Sequence, residues 1–258
     1  MSAKRPPGPK STAAPAAGPR KYLPFVIIGA VLLAVIGGGA YLLNSRSGES
    51  RPANTSARGN SNGTAPGPRP AAPRNAPPGA APAWEKGAVG APVVIEEFGD
   101  YQCPPCGMMH PVLQKILDDY GDRVRLVFRH FPLQQRHKNA FAAARATEAA
   151  GMQGKFWEMH DLVYDNQNAW AESTEPRPIF TDYARRIGID AEKFRADLDG
   201  KATAGRVMAD FERGTALGVG GTPTIFINGR ELPADKTLNE PKLRAEIDSA
   251  LAAAKGGK

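Results

Sequence analysis

Both cysteines of the 258-residue chain lie in one stretch, FGDYQCPPCGMMHP (residues 98–111), as Cys103 and Cys106 with two prolines between them. Two thiols this close suit several chemistries. As a structural disulfide the pair would be a weak staple, because the loop-entropy relation gives roughly 2 kcal/mol for so short a loop against about 4.7 for a loop of about 100 residues. A domain of about 170 residues with a sizeable core does not need it. A covalently attached haem requires His directly after the second cysteine, and position 107 is Gly. Metal binding has more to offer, since Cys103, Cys106, Met108, Met109 and His110 fall within eight residues and thiolate with thioether suits Cu(I). Zinc, however, wants four good ligands, and the sequence has no second Cys/His cluster. The two methionines are expected as core filler on a helix. The remaining chemistry is thiol–disulfide exchange, for which C-x-x-C is the signature.

That chemistry needs an activated sulfur. The apolar spacing of Met109, Val112, Leu113, Ile116 and Leu117 predicts a helix running from Cys103 to Tyr120. The first sulfur would then sit at the positive end of aligned peptide dipoles, beside N–H groups with no partner inside the helix, which favours thiolate over thiol. Pro104 fits the first helical position, where its missing donor would have been an orphan anyway. Cys106, one turn on, lies behind and can resolve a mixed disulfide formed at Cys103.

Flanking elements must hold this turn. VVIEEF (residues 93–98) and RVRLVFRHF (residues 123–131) read as β-branched strands on either side of the helix, the unit that makes a parallel pair. Residues 138–217 are nearly all helical in pattern, with Thr181 and Asp190 as expected N-caps and Phe156 and Trp157 as expected core of an inserted helical block. Beyond Gly220-Gly221-Thr222-Pro223 come TIFI, the pair Asn228-Gly229 and REL, a hairpin signal, then an amphipathic helix over residues 240–254. The expectation is one α/β domain over residues 85–256.

The chain before it is different. Residues 22–43 carry no charge and span roughly 33 Å as a helix, enough for a bilayer core and longer than the apolar region of about 7 to 15 residues in a cleaved signal peptide. No cysteine follows, which excludes a lipoprotein signal. Residues 1–21 hold Lys4, Arg5, Lys10, Arg20 and Lys21 and no acid, whereas the other flank begins with Arg46, Glu49 and Arg51. This asymmetry predicts a single-pass anchor with the N-terminus in the cytoplasm and the rest on the extracytoplasmic side, where thiols are not kept reduced. Residues 1–21 and 44–84 are rich in Pro, Ala, Gly and Ser and are expected to be disordered, the second as a tether of roughly 35 Å reach. Residues 1–88 carry 11 Lys/Arg against 2 Asp/Glu, while residues 89–258 carry 22 against 24. The basic charge therefore belongs to the tail and linker, and a nearly neutral globular part speaks against nucleic acid as the main partner.

Residues 98–111 together with GGTPTIFING (residues 220–229) resemble the bacterial DsbA-type thiol–disulfide oxidoreductases of the thioredoxin superfamily, and residues 137–163 are similar to that family's inserted helical domain. The resemblance spans most of residues 85–255. It implies a thioredoxin-like fold with a helical insertion, no cofactor and no metal. Cys103 would be the exposed nucleophile and Cys106 the resolving thiol. Glu97 matches the family's buried acid, which relays a proton to and from the buried cysteine, although as strand neighbours either Glu96 or Glu97 could face inward. Pro111 matches a kink in the active-site helix, and Thr222-Pro223 matches the cis-proline loop beside the disulfide, where client backbone pairs as an added strand. One departure stands out: position 105 is Pro where DsbA-type oxidases often carry His, so a weaker oxidant is expected. His110, His130, His137 and His160 are expected at helix surfaces or core edges.

The expected function is thus a membrane-tethered extracytoplasmic oxidoreductase that oxidises cysteine pairs in exported proteins, acts as a monomer and is reset by a membrane redox partner. A reductase or isomerase of the same fold is the alternative within the class, although no dimerisation domain precedes the catalytic part. A Cu(I) carrier is the alternative outside it.

Overall fold

The computed structural model describes residues 75–256. The expected basic tail, the membrane segment over residues 22–43 and the linker up to residue 74 lie outside the described residues. Among the described residues no helix is long and apolar enough to cross a membrane.

Five strands form one sheet: β1 (Trp84–Gly87), β2 (Val93–Gly99), β3 (Val124–His130), β4 (Thr224–Ile227) and β5 (Arg230–Glu231), in the order β1-β3-β2-β4-β5. β2 and β3 are parallel and the other pairs antiparallel. Their β-branched and aromatic residues suit the centre of the sheet, where Val93, Ile95, Val124 and Phe128 are buried. Helix α1 (Pro104–Tyr120) connects β2 to β3 and ends at Gly121, whose φ of 53° favours a residue without Cβ. Between β3 and β4 lie α2 (Ala140–Gly151), α3 (Phe156–Asp165), α4 (Gln167–Trp170), α5 (Pro176–Arg186), α6 (Ala191–Leu198) and α7 (Lys201–Ala216). After the sheet come α8 (Ala234–Thr237) and α9 (Glu240–Gly256). Asn228 and Gly229 both have positive φ, 48° and 78°, as a two-residue hairpin turn demands, and the Asn228 amide fastens the turn to β2 by accepting from the Val94 N–H at 2.8 Å.

Two apolar cores flank the active-site helix. One face of α1 gives Met109, Leu113 and Ile116, which pack with Val93, Ile95 and Ile225 of the sheet and Leu243, Ile247 and Leu251 of α9. The other core is built in the helical block around Trp170, Phe156, Phe180 and Phe194, with the small side chains of α2 (Ala143, Ala146, Ala149, Ala150) fully covered, and it includes Tyr101, Cys103 and Cys106. The cysteine turn is thus clamped between sheet and helical block.

Several local expectations are corrected. Residues 75–83, assigned by composition to a disordered linker reaching residue 84, lie against the domain: the Ala80 N–H donates to Asp210 at 2.8 Å, Arg213 donates to the Pro77 carbonyl at 2.9 Å, and Arg206 donates to the Ala81 and Pro82 carbonyls. These bonds satisfy the backbone of a segment that has little apolar surface to bury. They lead into an edge strand, β1, that composition did not suggest, with Trp84 stacked on Phe156 at 4.4 Å. Thr181 is no N-cap but sits inside α5, its hydroxyl donating to the Arg177 carbonyl at 2.9 Å, whereas the Asp190 carboxylate caps α6 by accepting from the Glu192 and Lys193 N–H groups. Met108 is 72% exposed rather than core filler; only Met109 turns inward.

Candidate active site

Cys103 is the N-cap of α1, in an extended conformation, with Pro104 and Pro105 opening the first turn. Its carbonyl accepts from the Cys106 and Gly107 N–H groups at 3.1 and 3.2 Å, so the turn closes back under the first sulfur. Cys106 is fully buried and Cys103 is 6% exposed; both are free thiols. Cys103, expected as an exposed nucleophile, is nearly covered by the loop before β4, with its Sγ 3.3 Å from the Thr222 carbonyl oxygen. The Thr222-Pro223 peptide bond is cis. A groove of about 530 Å³ opens beside this contact, lined by Pro105, Thr222, Pro223, Leu232 and Leu238 among others.

The two sulfurs differ sharply. The hydrogen bond with the Cys106 thiol is the first cause that brings the Cys103 thiol down to about 6; the Thr222 side chain and the Cys106 N–H add to it, outweighing burial and the Asp100 carboxylate. The helix start thus contributes through a specific N–H, and the neighbouring thiol contributes more. Burial, first of all, pushes Cys106 well above the ordinary thiol range, and Cys103 and Glu97 push it in the same direction. One sulfur holds its charge as an anion and the other holds its proton.

The two adjacent glutamates of β2 point to opposite faces, as strand geometry requires. Glu96 is held below its ordinary value despite a larger opposing effect of burial, because Arg213 and Arg129 bracket it. Glu97 has no such partner. Burial alone raises it to about 8, and its Oε1 is buried without a hydrogen bond. The position matched to the family's acid is the orphaned one, and the paired one is structural.

The structure brings Cys103, Cys106, Glu97, Thr222 and Pro223 into one region, and it adds residues that sequence reasoning missed. The Gln167 amide of α4 donates to the Tyr101 and Cys103 carbonyls at 2.7 and 3.1 Å, so the helical block holds the active-site turn directly. Asp100, fully buried, accepts from the Gln102 and Leu133 N–H groups, both at 2.8 Å, and from His137 Nδ1 at 2.7 Å. Asp100 lies close to the cysteines in sequence and was available as a clue; Gln167 was not, because the contact crosses 64 residues. Three of the four histidines are more deeply placed than expected: His110, His130 and His160 are 5%, 0% and 3% exposed and gather with Tyr101, Tyr164 and Phe128 of the core that holds Cys106, whereas His137 is partly exposed. The ligands imagined for copper do not gather in this way, since Met108 faces solvent and Met109 belongs to the core shared with α9.

Comparison with known proteins agrees with this geometry. The family model described as Thioredoxin matches residues 83–249. Among solved structures, oxidised BdbD from Bacillus subtilis superposes with a TM-score of 0.59 at 25% identity, covering 66% of this chain and 93% of that one. A thioredoxin-like oxidoreductase from Silicibacter pomeroyi gives 0.55 at 26% identity, covering 65% and 91%. α-DsbA1 from Wolbachia pipientis gives 0.61 at 20% identity, covering 69% and 94%, a likeness of fold. Curated relatives include proteins named Na(+)/H(+) antiporter NhaA 3 from Salinispora tropica, 41% identical over 166 residues, and NhaA 1 from Mycolicibacterium vanbaalenii, 39% identical over 146 residues. These matches take in 64% and 56% of this chain but 24% and 23% of the relatives, so the chain spans about a quarter of their length. By the match over residues 83–249 and a sheet-and-helix arrangement shared with DsbA-like oxidoreductases, the chain belongs to the thioredoxin family.

Proposed function

We propose that the domain is a thiol–disulfide oxidoreductase that works outside the cytoplasm on a membrane tether and oxidises cysteine pairs of exported proteins through Cys103 and Cys106. The observation that carries this reading is the asymmetry of the pair, with Cys103 brought down to about 6 and Cys106 held well above the ordinary range in full burial. In the oxidised enzyme a client thiolate attacks the Cys103 sulfur, the Cys103–Cys106 bond breaks, and Cys106 leaves with the electron pair and takes a proton. The client's second thiolate then attacks the client sulfur of the mixed disulfide, and Cys103 departs as a thiolate. The client loses two electrons and the enzyme pair gains them, to be returned to a membrane redox partner.

The roles of other residues follow from position. Client backbone would pair beside cis Pro223, with side chains entering the groove lined by Pro105 and Leu238. Glu97, neutral up to about 8, supplies the proton that Cys106 needs on leaving and removes it when Cys106 must attack. The uncharged run over residues 22–43 and its basic N-terminal flank support the tether. Sodium–proton exchange belongs by name to proteins of which the match takes in 24%, and it is not carried over to this chain.

The decisive experiment is a trap. A Cys106→Ser protein, expressed with its N-terminal segment, should accumulate client adducts through Cys103 that dithiothreitol releases. A Cu(I) carrier would give no adducts, and the reduced wild type would bind Cu(I) stoichiometrically; that outcome ends the oxidoreductase reading.

A further inference from the structure

The proton that Glu97 exchanges with Cys106 has to reach solvent, and Glu97 is 2% exposed. Its neighbours show one way out. A cavity of about 10 Å³, about the size that holds one water, is lined by Glu97, His110, His160, Gln114, Asp161 and Lys86 together with apolar side chains such as Leu113 and Trp157. His110 comes from α1, one turn beyond Cys106, and His160 and Asp161 come from α3. The two imidazoles meet edge to face at 5.2 Å. His110 Nε2 lies 3.6 Å from Asp161 Oδ1 and 3.6 Å from Asp165 Oδ1, and the Gln114 amide, which donates to Asp161 at 3.0 Å, also donates to that His110 Nε2 at 3.2 Å. Exposure rises along this line: His110 is 5% exposed, Asp161 33% and Asp165 63%. His160 Nδ1 is occupied by the Tyr101 hydroxyl at 2.8 Å.

We propose that His110, with His160 beside it, carries protons between Glu97 and solvent, through the cavity and out past Asp161 and Asp165. The inference rests on the proton-relay role of Glu97 proposed above. The donor and acceptor inventory suits it. Glu97 lines the one-water cavity, and its buried Oε1 has no hydrogen bond. Neutral imidazole both accepts and donates, and burial, the first cause, keeps both rings below their ordinary value, so a proton passing through is not retained. The other groups facing the cluster act in opposite senses: Lys86 opposes charge on either ring, while Asp161 and Asp165 favour it on His110. Tyr101 and Tyr164 are driven, chiefly by burial, far above their ordinary range and stay protonated. Along the route only O–H, N–H and S–H bonds break and form, one for one; each proton delivered to Cys106 is replaced from water, and the flow reverses when Cys106 is deprotonated for attack.

A conduit alters rates and leaves endpoints alone, which separates it from a structural role. The mixed disulfide of Cys103 with glutathione should be prepared and its resolution by Cys106 followed in stopped flow at low buffer concentration. His110→Gln should slow this step on the order of a hundredfold. Added imidazole should restore much of the rate, while the reduction potential and the alkylation rate of Cys103 stay at wild-type values. Asp161→Asn, at the exposed end, should slow the step several-fold and respond to imidazole in the same way, and it keeps the test available if His110→Gln does not fold. Wild-type resolution in folded His110→Gln, or slowing that imidazole leaves untouched, overturns the route. Glu97→Gln is run in parallel: if it is slow while both route variants are normal, the relay stands and the path is wrong, whereas normal resolution in Glu97→Gln removes the relay itself.

Discussion

The thiol of Cys106 is the first cause of the low value at Cys103, and this can be tested by removing it. With Cys103 at about 6 against an ordinary 9.0, roughly nine-tenths of it is thiolate near pH 7, where an unperturbed thiol would be roughly one-hundredth ionised. Three favourable contacts share that displacement of about three units, and they also offset burial and Asp100. The largest of the three therefore accounts for at least about one unit. Cys106→Ala deletes this donor but leaves the N–H of residue 106, the helix start and the burial in place. The pH midpoint of Cys103 should rise by about one unit or more, and iodoacetamide alkylation near pH 6 should slow about fivefold or more, in step with the thiolate fraction. Cys106→Ser retains a hydroxyl donor and should fall between wild type and Cys106→Ala. The assay is alkylation of Cys103 across a pH series, read by intact mass, with thiolate absorbance as a second measure. An unchanged midpoint in Cys106→Ala would refute the reasoning and return the low value to Thr222 and the helix start.

Three further outcomes are expected. Pro105→His restores an imidazole and an N–H beside Cys103 and should raise the reduction potential by about 30 mV for each unit by which Cys103 falls, measured against glutathione. Glu97 ionises at 4.5 when unfolded and about 8 when folded, so the unfolded chain releases its proton first and wild-type stability declines as pH rises from below 4.5 through 8. Glu97→Gln should abolish that decline, whose full size is on the order of 5 kcal/mol, in denaturant titrations at a series of pH values; parallel curves for the two proteins would contradict it. Gly214→Ala would ordinarily gain about 1 kcal/mol in a helix, but its Cβ would stand 2.7 Å from the Phe131 ring and 2.9 Å from the Phe98 ring, both buried, so a net loss of about 1–3 kcal/mol should appear in chemical unfolding.

Local interactions were legible in the sequence. The parallel strands around the cysteine helix, the Asn228-Gly229 hairpin and the Asp190 cap each follow from patterns a few residues long, because strand alternation, turn geometry and N-capping are satisfied within one or two turns of chain. Whether Glu96 or Glu97 faced inward unpaired was not legible, since alternation says only that they face apart; Arg213, 117 residues away, decides it by claiming Glu96. The same holds for residues 75–83, whose composition reads as linker until Arg206, Arg213 and Asp210 of α7 supply partners for its backbone.

By itself the sequence determined that two thiols begin a helix between parallel strands, a pattern that raises the expectation of exchange chemistry, because spacing and propensity act locally. Only the tertiary structure decided what surrounds those thiols. The Thr222 contact, the Gln167 clamp and the gathering of His110 and His160 join residues far apart in the chain. Burial and charge at one point depend on every segment that reaches it, and no window of sequence holds that sum.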